Sequence, residues 1–388
     1  MIKLLTNIIL KDYTTFIEEI IFDFHATNYK ILEDTNVGNN RILKGALFVG
    51  ENASGKTQAL KAIILLLNLL LENSEQNFFI KKSLYTRGNK FSLSYVFNVD
   101  NNDIKYDLTF ENNFIFAEKL YVNNEMKLNR LKNSGQTYFE EEKDNDDINS
   151  GLPLLKLEYY NTRFNNDPIL NKWFDFLKNS LYIDCLACHI KSYDISKINE
   201  QNISKYAEEN DESKINNIIN KFGYNSEIVF NKNMPKDSNY IIVNSRDEKV
   251  SLRKKGTKTI LPLSLESAGN RAFVNIILPI IFSTKNDGMV IVDEFSSGLH
   301  NELEESLIRY FFNNSKNSQL FFTSHSTNLI DTTILRPDQI YSFKFDSKRG
   351  TIIKRFSAEN PRESQNMEKM YLNGVFDGMP KYDKNFKN

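Results

Sequence analysis

Residues 46 to 57, Ala-Leu-Phe-Val-Gly-Glu-Asn-Ala-Ser-Gly-Lys-Thr, run from an apolar strand through a glycine-bounded turn into a helix. Few folds accommodate such a stretch. Gly50 and Gly55 can take backbone angles closed to other residues, so the N–H groups of Glu51, Asn52, Ala53 and Ser54 can turn inward and cradle a phosphate at the positive end of the helix. Lys56 is then expected to neutralise the β/γ-phosphates and Thr57 to offer a hydroxyl to Mg²⁺, which takes hard oxygen ligands at short range. The pattern arises by chance in on the order of 1% of chains this long. The flanking strand and apolar helix strengthen it, so nucleotide binding at Gly50–Thr57 is the first expectation.

Length leaves room for two or three domains with a real core: 388 residues, 40% hydrophobic and 26% charged. Lys+Arg 49 against Asp+Glu 50 gives a net charge of -1, so no chain-wide basic field points to nucleic acid. A local patch leaves that partner open. The most basic cluster is Arg253, Lys254, Lys255 and Lys258, where the turn Lys254-Lys255-Gly256-Thr257 joins two short strands; it reads first as a charged hairpin tip. Lys3, Lys11, Asp12, Glu18 and Glu19 interrupt any signal-peptide core, and no apolar run reaches the ~18 residues of a membrane span. A cytoplasmic protein without membrane contact is expected. Cys185-Leu-Ala-Cys188-His189 has the form of a c-type haem attachment motif. It is read instead as two reduced, packed thiols, because haem attachment belongs to an exported compartment and no further cysteine completes a four-sulfur zinc site.

Ile2–Leu10 and Phe16–Phe24 suit two strands leading to the phosphate loop; Tyr13 and Phe16 could stack on a base but are more often core at such positions. Leu60–Leu71 is apolar on most faces and should be a buried helix. Residues 91–110 then alternate as an antiparallel hairpin, with Phe114–Val122 as a third strand. Residues 140–147, Glu-Glu-Glu-Lys-Asp-Asn-Asp-Asp, read as a solvated linker, and Leu152 to about Asn231 as mostly helical. The expected domains are 1–79, the first part of a nucleotide-binding domain; 80–135, an inserted β meander; 136–238, a helical lobe; and 239–388, the rest of the nucleotide-binding domain.

Met289-Val-Ile-Val-Asp293-Glu294 is an apolar strand ending in two carboxylates, as the second half of a phosphate-loop NTPase requires beside the first strand. Asp293 would hold the magnesium, and Glu294 would orient and deprotonate the attacking water. A further apolar strand, Leu320–Ser324, delivers His325 to the edge where ligands of parallel sheets gather, and its place in this order makes it a candidate γ-phosphate sensor. Thr284-Lys-Asn-Asp287 has the form of a guanine-selecting box but precedes the acidic strand, and is read as a turn.

Together these residues resemble the ATP-binding-cassette class of ATPases, in particular AAA-type proteins grouped with the OLD family, RecF and SMC proteins. Leu265-Glu-Ser267-Ala-Gly269-Asn-Arg271 is similar to the signature of predicted ATPases in bacterial anti-phage and abortive-infection systems; Phe322–Asp331 and the tail Tyr371–Pro380 also look like that family, and Gly298-Leu-His300 falls where its D-loop would lie. The resemblance implies an α/β fold, a P-loop NTPase of the ABC type with a mixed, mainly parallel sheet flanked by helices, carrying an inserted antiparallel meander and a helical lobe. It implies ATP and Mg²⁺ as ligands and a dimer in which Ser267 and Gly269 of one subunit complete the site of the other. It further implies a defence ATPase that senses or restrains, paired with a separately encoded nuclease or toxin, with a RecF- or SMC-like DNA-clamping ATPase as the alternative. Two features depart from the pattern. Neither Gln76 nor Gln136 is well placed as the glutamine of a Q-loop, and the stretch after His325 is too short for the TOPRIM nuclease of OLD proteins.

Overall fold

The computed structural model describes residues 3–72, 83, 85, 86, 88–112, 114–193, 212–230, 239, 240 and 250–379. The chain opens with β1 (Lys3–Lys11), β2 (Ile20–Asp23), the single turn α1 (Glu33–Asn36), β3 (Gly45–Gly50) and α2 (Lys56–Leu71). Six strands follow, β4 (Lys90–Val99), β5 (Asn102–Glu111), β6 (Phe114–Val122), β7 (Glu125–Leu131), β8 (Ser134–Tyr138) and β9 (Glu142–Asn145). Next come α3 (Leu154–Thr162), α4 (Pro168–Lys178), β10 (Leu181–Asp184), β11 (His189–Ser192), α5 (Glu212–Lys221), β12 (Ser226–Phe230), β13 (Asn239–Tyr240), β14 (Val250–Lys254) and β15 (Thr259–Pro262). The last third supplies α6 (Ala268–Lys285), β16 (Met289–Asp293), α7 (Asn301–Asn314), β17 (Gln319–Thr323), β18 (Ile340–Asp346), β19 (Gly350–Arg355) and α8 (Met367–Leu372).

The candidate site residues stand on a seven-stranded sheet of order β11-β10-β16-β17-β3-β18-β19, in which the five central strands are parallel and the two edges antiparallel. Strands buried on both faces need no alternation, which is why Ala46–Val49, Met289–Val292 and Leu320–Phe322 read as continuous apolar runs. On one face lies α2, buried as its sequence predicts; on the other, α6 and α7 pack with the tail around Ile277, Phe311, Met367 and Phe376. Tyr13 and Phe16 are core residues, Tyr13 against the Phe91 ring at 5.9 Å. One expectation fails here. The acidic strand β16 does not neighbour β3, because β17 pairs with both and stands between them.

The meander is longer and less separate than its sequence predicts. β4–β9 form an eight-stranded antiparallel sheet with β1 and β2, so the N-terminal strands extend the meander, and the boundary drawn at 135 falls inside β8. Residues 140–147, expected as a linker, contain the edge strand β9. Its backbone pairs with β8 on one side only, and Gln136 Nε2 donates to Glu142 and Asp144, so exposed acidic side chains suffice there. The stretch expected as a helical lobe also holds strands; Leu181–Asp184 joins the main sheet beside β16, a run too short for periodicity to separate from helix.

Two polar side chains couple these layers. Gln319, fully buried at the start of β17, accepts from Leu5 N at 2.7 Å and donates to Leu5 O and Leu43 O at 2.9 and 3.0 Å, taking the place of a peptide where the two sheets meet. Glu118 of β6 accepts from the Leu154 and Leu155 N–H groups at the start of α3 and from Tyr106 Oη, with Arg130 at 3.5 Å. A carboxylate at a helix N-terminus meets donors that otherwise lack partners. Among the described residues no helix is long and apolar enough to cross a membrane.

Candidate functional site

The phosphate loop leaves β3 at Gly50, where φ is 146° and an added Cβ would come within 2.3 Å of Phe343 O. Left-handed steps at Ala53 (φ 61°) and Gly55 (φ 108°) turn the chain into α2. Such alternation points successive N–H groups into one concavity. Lys56 Nζ folds over it, donating to Gly50 O and Glu51 O, each at 2.9 Å. Burial pushes that ammonium below its usual range against the pull of Glu294, Asp293 and Glu51, so an anion in the concavity would relieve a cost already present. The Ser54 hydroxyl is buried and unpartnered, a second group that a phosphate oxygen would satisfy. Asn52 and Ala53 are exposed, and Glu51 accepts from Phe345 N at 3.4 Å. Beneath the loop Thr351 Oγ1 donates to Ser54 O at 2.8 Å and meets Thr15 Oγ1 at 2.7 Å.

Beside it, Thr57 Oγ1 donates to Asp293 Oδ1 at 3.1 Å. These hard oxygens fit Mg²⁺, which is bound through few protein oxygens, substrate phosphates and water. The same Asp293 oxygen accepts from Thr323 Oγ1 at 2.7 Å, and Thr323 Oγ1 accepts in turn from Glu294 N at 2.8 Å. Thr323 stands out in the sequence only by directly preceding Ser324-His325; Thr15 and Thr351 carry no sequence signal, because only the fold brings them under the loop. Glu294 has φ 57°, a left-handed conformation costing a non-glycine residue about 1–3 kcal/mol. That turn aims its carboxylate off the strand, with Oε2 at 3.3 Å from His325 Nε2. His325 N donates to Ser296 Oγ at 3.3 Å.

The structure therefore brings Gly50–Thr57, Asp293, Glu294 and His325 to one sheet edge. The signature stretch is organised separately. Ser267 caps α6, accepting from Asn270 N at 3.3 Å, while Asn270 donates to Glu266 Oε2 and accepts from Tyr224 Oη, both at 2.6 Å. A Cβ on Gly269 would lie 2.9 Å from Gly298 O, so only glycine lets this turn close on Gly298-Leu299-His300. His300 in turn caps α7. Ser267 is exposed, as is Leu265 at 53%.

Other sequence candidates fall elsewhere. Gln136 lies on β8 bonded to β9, and Gln76, Pro380 and residues 241–249 lie outside the described residues. Cys185 is buried, its N–H donating to Asp293 O at 3.1 Å and its thiol pushed up by burial. Cys188, expected to be packed, is exposed at the hairpin turn with φ 52°, where the four-residue connection leaves it no interior. Arg253 is paired with Glu227 at 2.7 Å, which engages one charge of the basic cluster.

Residues 46–331 match the family described as "AAA domain, putative AbiEii toxin, Type IV TA system". No curated protein matches the sequence. Among solved structures the chain is similar to an SMC head bound to the C-winged helix domain of ScpA, with TM-score 0.54, 12% identity and coverage of 91% of this chain and 99% of that one. It is also similar to a Pyrococcus furiosus-derived structure of the SMC head with an extended coiled coil bound to the C-terminal domain of ScpA, with TM-score 0.50, 10% identity and coverage of 92% and 98%. At these identities the likeness establishes the fold, the P-loop NTPase of the ABC type found in SMC heads. With its matched region spanning both the phosphate loop and His325, the chain belongs to this AAA domain family, an AAA-type ATPase domain with the ABC-type fold seen in SMC heads.

Proposed function

We propose that the protein hydrolyses ATP at sites shared between two copies of the chain, and that closing and opening of the pair governs a separately encoded effector, a nuclease or toxin, in bacterial defence against phage. One observation carries the dimer: Ser267 stands exposed as the cap of α6, whose Gly269 closes on Gly298, whereas the phosphate loop, Asp293, Glu294 and His325 form one cluster. The family's description, which names a toxin–antitoxin system, supports the effector and defence reading. A cytoplasmic location follows from that role.

In this reading the N–H groups of Gly50–Thr57 hold the phosphates and Lys56 moves from the Gly50 and Glu51 carbonyls to the β/γ oxygens. Mg²⁺ held by Thr57 and Asp293 would offset the phosphate charge. Glu294 takes the proton of the attacking water as the γ-phosphoryl group leaves ADP, and His325, whose Nε2 lies 3.3 Å from Glu294 Oε2, steadies that group. Ser267 and Gly269 of the second copy close over it.

Glu294→Gln should bind ATP, lose about 10²–10³-fold in turnover and accumulate as a dimer, because its phosphate and metal ligands remain while the base is gone. Ser267→Arg should bind ATP but neither dimerise nor hydrolyse it. Mixing Lys56→Ala with Ser267→Arg places both defects in one composite site and leaves the other intact, so partial ATPase activity should return as subunits exchange. Parental turnover by monomeric Ser267→Arg would refute the shared site. Co-expression with neighbouring genes tests the effector, the expected outcome being a co-eluting nuclease or toxin.

A further inference from the structure

His325 leaves β17 on a short arch, Ser326-Thr327-Asn328, that runs into a 3₁₀ turn at Thr327–Leu329. An arch of this kind lacks the ladder bonds that fix a strand, so the aim of His325 depends on what grips the next residues. Two of them bond a carboxylate from another element. Thr327 Oγ1 donates to Glu368 Oε1 at 2.6 Å and Asn328 Nδ2 to Glu305 Oε1 at 3.2 Å, while Ser326 lies beside the buried Glu304. Glu304 and Glu305 belong to α7, which begins at His300 next to the signature contact; Glu368 belongs to α8 in the tail.

The tail is a firm base for such a grip. Met367 and Tyr371 are buried, and the Phe356 ring stacks on Phe376 with centroids 3.8 Å apart. Ser342 Oγ donates to Phe376 O, Lys354 Nζ to Val375 O at 3.0 Å and Tyr371 Oη to Gly378 O at 3.2 Å. Beyond α8 the tail also lines a hollow of about 510 Å³ with Glu51 of the phosphate loop and Lys344. It thus bonds to the arch and shares a hollow with the phosphate loop.

We infer that Glu368 and Glu305 are positioning residues, which clamp the arch between the tail and α7 and thereby hold His325 against Glu294. This rests on the ATPase reading above. Because the clamp works through an accepting oxygen, glutamine at 368 should replace glutamate, whereas alanine should not. Losing the Thr327 contact lets the arch drift, and small misplacements near the reacting atoms cost turnover more than binding.

The test compares Glu368→Ala, Glu368→Gln, Thr327→Val and the Glu368→Ala/Thr327→Val double variant with the parent. Readouts are ATP affinity, turnover, melting temperature and the NMR signals of the His325 ring, assigned through His325→Gln. Glu368→Ala and Thr327→Val should each lower turnover by about tenfold, and the double variant should be no worse than either, since both remove one interaction. ATP affinity should stay within about twofold and the melting point within about 3 °C, a loss too small to account for the rate by unfolding. The His325 ring signals should move in the alanine variant, and Glu368→Gln should keep both rate and signals. Additive losses, unmoved ring signals, or a rate that falls only with the folded fraction would overturn the clamp. Should the parent fail to hydrolyse ATP, the ATPase reading falls, and the ring signals alone decide: movement in Glu368→Ala but not in Glu368→Gln keeps the clamp, and no movement ends it.

Discussion

At the carboxyl edge of the main sheet the phosphate loop, Thr57, Asp293 and Thr323 bond to one another, whereas at the start of α6 Ser267 bonds within its own turn and Leu265 faces solvent. The first region holds its polar atoms in place before any ligand arrives, at the cost of a buried ammonium and a left-handed Glu294. The second carries little strain. Its shape is set instead by a backbone contact with the Gly298 turn, which would move it as one piece with α7. If the two regions act as proposed, the contrast predicts that ATP binding and closing of the pair are separable, so that one region can be damaged without harm to the other.

The sharpest way to break this comparison is Lys56→Ala. Removing two charge-assisted contacts worth about 1.5–3 kcal/mol each should weaken ATP binding by a hundredfold or more in calorimetry, while Ser267→Arg leaves it unchanged. Equal losses in the two variants would erase the distinction. Thr323→Val comes next. It strips one donor from Asp293 and leaves Glu294 N unpaired, so the Mg²⁺ concentration for half-maximal activity should rise by about tenfold with the fold intact.

A smaller effect should appear beneath the arch. Burial raises the Glu304 acid above its ordinary value of 4.5, offset in part by Ser326 and His300 and reinforced by Glu305. An acid raised on folding leaves stability intact below pH 4.5 and removes it as pH climbs toward the folded value. Glu304→Gln should therefore raise the thermal-unfolding midpoint at neutral pH and leave it unchanged at pH 4. The smallest effect is expected at the β14–β15 tip. Charge reversal at Lys254 and Lys255 should leave DNA affinity and its salt slope unchanged; a slope flattened by about one unit per residue would favour the DNA-clamping alternative.

The residues of the candidate site were legible in the sequence because the chemistry proposed for them admits few substitutes. Phosphate cradling would need Gly50, Gly55 and Lys56 at fixed spacing, and a carboxylate meant for magnesium would end a strand, where Asp293 stands. Strand order was not legible, since apolar runs such as Met289–Val292 and Leu320–Phe322 carry no mark of which one neighbours β3. β9 was hidden for the opposite reason: an edge strand can be wholly polar. Thr15 and Thr351 stand 336 residues apart and meet only through the finished fold.

The order of the main sheet also bears on how the protein is made. β3 is translated before both of its neighbours, β17 and β18, which are encoded in residues 319–346. Until these arrive, the strand that carries the phosphate loop has two unpaired edges, and Gln319 cannot join Leu5 across 314 residues of chain. Closure over such separations is slow and comes late. Nucleotide should therefore be captured by chains translated past β18 and not by shorter ones, because only then are both edges of the strand that carries the phosphate loop paired.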